Sequence, residues 1–98
     1  MILYSINIYV KKKTSTSWEL WMREKHIPDI MNTGLFSEFE FNQIDESDNF
    51  FNYKINYKSK SIRNYLKYQR LFAINLQKEH AQKIENEFTA TRSLFIKC

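Results

Sequence analysis

Two histidines are the residues in this sequence best suited to proton chemistry, because imidazole titrates near neutral pH. His26 follows Trp18, Trp21 and Met22 at steps of three and four residues, which places all four on one face of a predicted helix. His80 lies on the apolar face of a second predicted helix. Either ring could polarise a ligand or accept a proton from it. The structural alternative places His26 at a helix end, where its cation would interact with the helix dipole, and gives His80 a hydrogen bond at the core edge.

Two tyrosines add polar groups to the same predicted interior. Tyr53 and Tyr57 fall on the apolar face of a predicted strand, and a buried tyrosine hydroxyl needs a hydrogen-bond partner. That partner could be a ligand or a helix side chain. A pocket of this composition would bind a small, mostly apolar ligand. The candidate pocket residues are Trp21, Met22, His26, Tyr53, Tyr57, Phe72 and His80.

The sequence lacks the motifs of most cofactor-dependent enzymes. Its single glycine, Gly34, excludes glycine-rich phosphate loops and dinucleotide fingerprints. A metal site built from the two histidines with Asp29 or Glu79 is disfavoured, because Pro28 interrupts the helical spacing between His26 and Asp29. We therefore expect neither a metal nor a cofactor.

Length and composition fit one domain spanning residues 1–98. The chain is 43% hydrophobic and 16% aromatic, and one glycine and one proline leave little for a linker. No run approaches the roughly 20 apolar residues of a membrane-spanning helix, and the cations at 11–13 follow the first apolar run instead of preceding it as in a secretory signal. The lone cysteine, Cys98, excludes a disulfide framework. We expect a cytoplasmic protein without a membrane partner, and we interpret the net charge of +4 as solvation.

The first third of the chain predicts a strand and a helix. Period-2 alternation predicts a strand whose core face carries Ile2, Tyr4, Ile6, Ile8 and Val10. Thr16 and Glu19 have the spacing of a capping box, so the helix should begin near residue 17 and should bury Trp21. Pro28 predicts a break in this helix at the preceding residue and a further helical turn over 28–31 with Pro28 in its first position. Gly34 predicts a left-handed helix end with a positive φ.

A hairpin is predicted next, in the stretches 35–44 and 50–58. Alternation places Tyr53 and Tyr57 toward the helices and Lys54 on the opposite face. Pairing that is symmetric about Ser47 would put Glu40 opposite Lys54 and would join two unlike charges across the strands.

The remaining residues predict a long helix and a last strand. The helical pattern runs from about residue 59 to 88, with an apolar stripe of Ile62, Leu66, Ala73, Leu76, His80 and Ile84. Residues 89–98 then predict a strand. The order β-α-β-β-α-β, with strands that are apolar on one side, indicates an α+β, ferredoxin-like fold in which two helices cover one face of a four-stranded antiparallel sheet.

The second face of that sheet is predicted to form a homodimer interface. It combines aromatic and aliphatic side chains with polar and charged ones, and contiguous apolar patches of this kind often mark interfaces. The candidate interface residues are Leu3, Asn7, Tyr9, Phe36, Glu38, Glu40, Phe50, Lys54 and Phe95. RNA binding, which the same element order supports in RNA-recognition motifs, is not expected, because the third strand offers Asn52, Lys54 and Asn56 on this face instead of aromatics. We therefore expect no nucleic acid partner.

The stretch "WELWMREKHIPDIM" at 18–31, followed by Gly34, resembles a small bacterial family, domain of unknown function 4286. Phe88 and Arg92 near the last strand resemble a second, weaker motif of that family. The family in turn is similar to the dimeric α+β barrels, whose members include cofactor-free monooxygenases and haem-degrading enzymes. The resemblance implies the fold and a dimer but no particular reaction. The departure from the family is "ENEFTATRS", which lacks the glycine expected before the last strand.

Two functions remain open from the sequence. The first is a small dimeric protein that binds a small apolar ligand between helices and sheet. The alternative is a cofactor-independent monooxygenase or haem-handling enzyme that uses the same pocket.

Overall fold

The computed structural model describes residues 1–85 and 88–97, and its elements follow the predicted order. The strands are β1 (Ile2–Lys11), β2 (Glu38–Glu46), β3 (Phe50–Ser59) and β4 (Phe88–Ile96). The helices are α1 (Lys12–Trp21), α2 (Ile27–Met31), α3 (Ile62–Tyr68) and α4 (Ile74–Lys83). A π-helical turn joins α1 to α2 (Met22–His26), and a second one joins α3 to α4 (Gln69–Ala73). Cys98 lies outside the described residues.

The strands form one antiparallel sheet in the order β2-β3-β1-β4. The two helical layers, α1–α2 and α3–α4, contribute to a core against one face of it. The α+β, ferredoxin-like arrangement predicted from the sequence is therefore confirmed. Within residues 1–85 and 88–97, no helix combines the length and the apolar character needed to cross a bilayer.

Burial follows the predicted strand alternation in the two central strands. The helix-facing residues of β1 and β3 that are at most 4% exposed are Ile2, Tyr4, Ile8, Val10, Tyr53, Ile55, Tyr57 and Ser59. Side chains of alternate residues point to opposite faces of a strand, so this set must lie under the helices.

Trp18, and not Trp21, is the tryptophan at the centre of the core. Trp18 is fully buried, with its ring centroid 4.7 Å from that of Tyr53 and 5.7 Å from that of Phe41. Trp21 is half-buried and packs at the margin of the core. Both residues fit the helical spacing, so the spacing alone did not separate the centre of the buried face from its edge.

The first helix begins five residues before the predicted start. It follows β1 directly, and the backbone N–H of Lys12 donates to the carbonyl of Asn49. The expected capping box is absent: the hydroxyls of Thr14 and Ser15 donate to carbonyls three residues earlier, and Glu19 binds Tyr53 instead. Glu19 therefore accepts a hydrogen bond from Tyr53 of β3 and does not cap its own helix.

Pro28 does not break the helix. The π turn before it shifts the hydrogen-bond pattern by one residue, so that the N–H of Ile27 bonds to the carbonyl of Met22. Pro28 then occupies the first turn of α2, where a missing N–H costs little. The helical layer consequently runs to Met31.

Gly34 has a φ of 76°, as predicted for the end of this helix. Its N–H donates to the carbonyl of Met31 at 3.1 Å. A Cβ at this position would meet no atom within 4 Å, so the demand for glycine comes from the backbone conformation alone.

The hairpin register differs from the prediction by two residues. Glu40 lies opposite Asn56, and Lys54 lies opposite Asn42, so the expected pair of Glu40 and Lys54 is wrong. A register shift between Gln43 and Asp45 inserts an extra residue into β2. A shift of two residues keeps every side chain on its predicted face, which explains why alternation did not reveal it.

The second helical layer is shorter than predicted and presents a different face. It ends at Lys83, and Ile62 and Leu66, which were assigned to the buried stripe, are 42% and 57% exposed. Tyr68 is buried in their place. The second π turn adds a residue to the turn and rotates the face between α3 and α4, so one continuous 3.6-residue stripe does not describe both halves.

Phe36 is a core residue and does not belong to the open face of the sheet. It is 5% exposed, and its ring centroid lies 4.9 Å from Tyr68 and 5.3 Å from Tyr57. β2 begins only at Glu38, so strand alternation does not extend back to Phe36.

We expect Trp18→Ala to lower the free energy of unfolding by about 3–5 kcal/mol, the usual cost of truncating a buried aromatic residue. Trp21→Ala should cost clearly less, because that ring is only half-buried. Urea unfolding followed by circular dichroism measures both. Equal losses in the two variants would contradict the central position of Trp18.

Gly34→Ala should lower the free energy of unfolding by about 1–2 kcal/mol, because alanine pays for a left-handed conformation that glycine adopts freely. Gly34→Asn is the matched control, since asparagine tolerates that conformation better. In thermal unfolding the wild type should therefore be the most stable protein, the asparagine variant less stable and the alanine variant the least stable. An alanine variant as stable as the wild type would be inconsistent with the observed φ.

Candidate functional site

A small cavity lies between the helices and the inner face of the sheet. Its volume is about 30 Å³, room for about one water molecule. Its lining combines aliphatic and tyrosine side chains with polar groups from both helical layers and from β4. The lining residues are Tyr4, Ile6, Ile8, Met22, His26, Ile30, Ile55, Tyr57, Tyr68, Leu76, Gln77, His80 and Arg92.

A hydrogen bond between Trp18 and His80 defines one side of this region. The indole Nε1 of Trp18 donates to Nε2 of His80 at 3.0 Å, and both side chains are buried. Because indole N–H can only donate, Nε2 of His80 must be unprotonated. The proton of the neutral ring is therefore on Nδ1.

His80 is held neutral by its surroundings. Burial lowers the pKa of His80 to about 3, and the positive charges that His26 and Arg92 can carry act in the same direction. A protonated His80 would also lose the hydrogen bond from Trp18. The predicted core-edge histidine bonded to a neighbour describes this residue well.

His26 occupies the end of the first π turn, with its ring centroid 5.3 Å from that of His80 and 5.0 Å from that of Trp21, on which it stacks. Burial lowers the pKa of His26 to about 4, although the Asp29 carboxylate opposes this shift. The helix continues beyond His26, so the predicted cation at a helix end is wrong.

The Nδ1 atom of His26 is buried and has no hydrogen-bond partner among the described residues. A buried nitrogen without a partner costs free energy comparable to a lost hydrogen bond. Native structures retain such an atom where a ligand or water satisfies it. This atom is the clearest indication of a binding role in the described part of the chain.

Arg92 supplies a cation at the mouth of the cavity and was not among the pocket residues predicted from the sequence. It lies in the interior of β4, paired with Ile6, which faces the helices. It lines the cavity but is exposed, because β4 is an edge strand that the helices cover incompletely. Its alternation with Phe88 and Ala90 was the signal that could have identified it.

Three tyrosines complete the lining as neutral phenols. Burial raises the pKa of Tyr57 and of Tyr68. Burial also raises the pKa of Tyr4, while the Arg92 cation favours the phenolate and partly offsets that rise. The cavity thus combines neutral hydrogen-bonding groups with one cation.

The structure brings four of the seven predicted pocket residues to this cavity: Met22, His26, Tyr57 and His80. Trp21 stacks on His26 from outside the lining. Tyr53 lies elsewhere, where its hydroxyl donates to Oε2 of Glu19 at 2.7 Å. Phe72 lies in a surface groove beside Leu71.

The π turns help to aim these side chains. Met22 and His26 are the first and last residues of the first π turn, and Tyr68 directly precedes the second. A π turn rotates the residues after it relative to a regular helix, and such turns are frequent at functional sites. Within residues 1–85 and 88–97, no group of three or more His, Cys, Asp or Glu side chains is arranged to hold a metal ion.

This arrangement can accept a hydrogen bond and stabilise an anion. The neutral His26 ring offers an unpaired nitrogen that could accept a hydrogen bond from a ligand hydroxyl. Arg92 could stabilise negative charge on the same oxygen. The Tyr and Met side chains provide the apolar surface against which the rest of a ligand would pack.

The fold is similar to several crystal structures of low sequence identity. HapK from Hahella chejuensis has a TM-score of 0.75 at 8% identity, with coverage of 100% of this chain and 93% of that chain. SnoaB from Streptomyces nogalater, a cofactor-independent oxygenase, has a TM-score of 0.65 at 10% identity, covering 98% and 92%. A dimeric ferredoxin-like protein from an uncultured marine organism has a TM-score of 0.65 at 10% identity, covering 99% and 94%.

These likenesses support the fold and carry no activity to this chain by themselves. No curated protein sequence matches it. The model of one family, domain of unknown function DUF4286, matches residues 1–97, which confirms the resemblance seen in "WELWMREKHIPDIM". The chain belongs to the DUF4286 family.

Proposed function

We propose that this protein is a homodimer that binds a small aromatic molecule with an acidic hydroxyl group between its helices and sheet. The observation that carries this proposal is the buried, unpartnered Nδ1 of His26, a residue that lines the same cavity as Arg92. A phenol would satisfy both groups, because its hydroxyl donates to His26 and its partial negative charge faces Arg92. Its ring would pack against the tyrosines.

The ligand must open the cavity in order to bind. A volume of about 30 Å³ is too small for an aromatic ring. The opening is expected beside β4, because Leu76 and Gln77 of α4 cover the cavity there and the strand itself is mostly exposed. Displacement of these two side chains would join the cavity to solvent without disturbing the Trp18–His80 hydrogen bond.

Buried polar atoms without partners on the open face of the sheet support the proposed homodimer. Three amide oxygens there are buried without a hydrogen-bond partner among the described residues, namely Oδ1 of Asn7, Asn52 and Asn56. A second copy could supply those partners. Exposed Tyr9 and Phe95 would add apolar contact. With Phe36 removed, the proposed interface comprises Leu3, Asn7, Tyr9, Glu38, Glu40, Phe50, Lys54 and Phe95.

An oxygenase is the second candidate, and the Arg92 cation in the cavity lining favours it. The cation could stabilise the phenolate form of a bound phenol whose proton has left to solvent, and an electron-rich phenolate can react with oxygen. The similarity to SnoaB, a cofactor-independent oxygenase, supports the same possibility. Haem handling has less support, since Nε2 of His80 is occupied by Trp18 and the cavity is small.

We expect 2-naphthol to bind at least about tenfold more tightly than naphthalene, because only the naphthol offers a hydroxyl to His26 and Arg92. Isothermal titration calorimetry measures both affinities. His26→Phe and Arg92→Gln should each remove most of this preference. Arg70→Gln, which changes an arginine outside the cavity, is the matched control and should leave the preference intact.

Equal binding of the two compounds, or no binding of either, would contradict the proposal. Oxygen uptake in the same samples separates the two candidate functions. Consumption that depends on His26 favours the oxygenase, and stable binding without consumption favours the ligand-binding protein.

Light scattering should give twice the 12.0 kDa chain mass for the wild type. Lys54→Glu should shift the protein toward monomer, because it places a carboxylate near Glu40 at the centre of the proposed interface. Lys13→Glu makes the same charge change at an exposed position of α1 and should leave the mass unchanged. A monomeric wild type at high micromolar concentration would rule out the proposed dimer.

A further inference from the structure

The outer face of the second helical layer carries apolar and basic side chains together. Four aliphatic residues on it are 42–64% exposed, and four cations lie between them. The aliphatic residues are Ile62, Leu66, Leu71 and Ile74. The cations are Arg63, Lys67, Arg70 and Lys78. We call these eight residues the basic helix face.

Exposure, and not regular helical spacing, defines this face, because the second π turn lies inside it. One surface groove is lined by Ile62, Arg63, Leu66, Lys67 and Arg70. Further along the layer, Leu71, Ile74 and Lys78 are exposed as well. From 62 to 78 the layer is roughly 25 Å long, at about 1.5 Å per residue.

The segment that carries this face is basic and contains no acidic residue. The chain has 15 Lys and Arg and 11 Asp and Glu, so removal of the four face cations leaves 11 of each sign. No acidic residue occurs between Asp48 and Glu79. Among the described residues, no carboxylate forms an ion pair with the four cations, and the nearby Asp29 and Glu79 pair with Lys25.

The described part of the chain does not bury these four aliphatic side chains. The sequence pattern assigned Ile62 and Leu66 to the core, but the rotation at the second π turn directs Tyr68 inward and leaves them outside. A dimer formed through the open face of the sheet would leave this face exposed as well, because the helices lie on the opposite side.

We infer that the basic helix face docks on an anionic phospholipid surface. The four aliphatic side chains would enter the boundary between headgroups and acyl chains, and the four cations would contact lipid phosphates and carboxylates. A nucleic acid would use the cations but would leave the aliphatic side chains against phosphate groups. The combination of aliphatic and basic side chains fits a lipid surface better, and this proposal departs from the expectation of no membrane partner.

The test is co-sedimentation of the full chain with two kinds of vesicle, phosphatidylcholine alone and phosphatidylcholine containing about 30% phosphatidylserine. We expect at least about tenfold stronger partitioning to the anionic vesicles, lost at about 0.5 M salt because salt screens surface charge. Arg63→Gln with Lys67→Gln should weaken binding roughly 10- to 30-fold. Lys13→Gln with Lys97→Gln, an equal loss of charge elsewhere, should change it little.

A matched pair of variants tests the contribution of the aliphatic side chains to vesicle binding. Leu66 and Leu20 are both 57% exposed, but only Leu66 lies on the basic helix face. Leu66→Ser should weaken vesicle binding several-fold, whereas Leu20→Ser should not, and neither exposed change should alter the circular dichroism spectrum.

Three results would overturn the inference. The first is equal partitioning to neutral and anionic vesicles, and the second is no binding to either. The third is binding that responds to the charge variants but not to Leu66→Ser, together with equally tight binding to RNA, which would identify a general polyanion surface.

Discussion

The hydrogen bond from Trp18 to His80 is the interaction on which the arrangement of the core depends. Trp18 belongs to α1 and His80 to α4, and the same indole packs on Tyr53 of β3 and Phe41 of β2. One buried side chain therefore connects both helical layers to the sheet. The bond also requires an unprotonated Nε2 on His80. The packing of Trp18 in the core therefore favours the neutral form of His80.

Among the described residues, the interior contains two neutral histidines and no buried Lys or Arg. Burial favours the neutral form of an imidazole, and it lowers the pKa of both His26 and His80 well below physiological pH. Positive charge reaches the cavity from the edge strand, where Arg92 remains in contact with water. A neutral hydrogen-bonding ring next to a solvated cation is an arrangement that can stabilise an anion without the desolvation cost of a fully buried charge.

The two π turns link the interior to the outer surface. The first turn accommodates Pro28 and carries Met22 and His26 to the cavity. The second turn changes the buried face between α3 and α4, which brings Tyr68 inside and leaves Ile62 and Leu66 outside. The same local change in helix geometry thus forms part of the cavity lining and creates the exposed apolar and basic face.

The sequence by itself determined the element order, the inner faces of β1 and β3, the positive φ of Gly34 and the candidacy of His26 and His80. Period-2 alternation and the special backbone freedom of glycine are local properties, and they survive whatever surrounds them. The tertiary structure decided which tryptophan is central, the two-residue shift of the hairpin, the burial of Phe36 and the position of Arg92 at the cavity. The first three depend on helix rotation, on a bulge and on the late start of β2, and they leave no signal in the spacing of neighbouring residues. Alternation with Phe88 and Ala90 does place Arg92 on the inner face of the sheet, but only the limited reach of the helices over β4 leaves its cation both at the cavity and in contact with water.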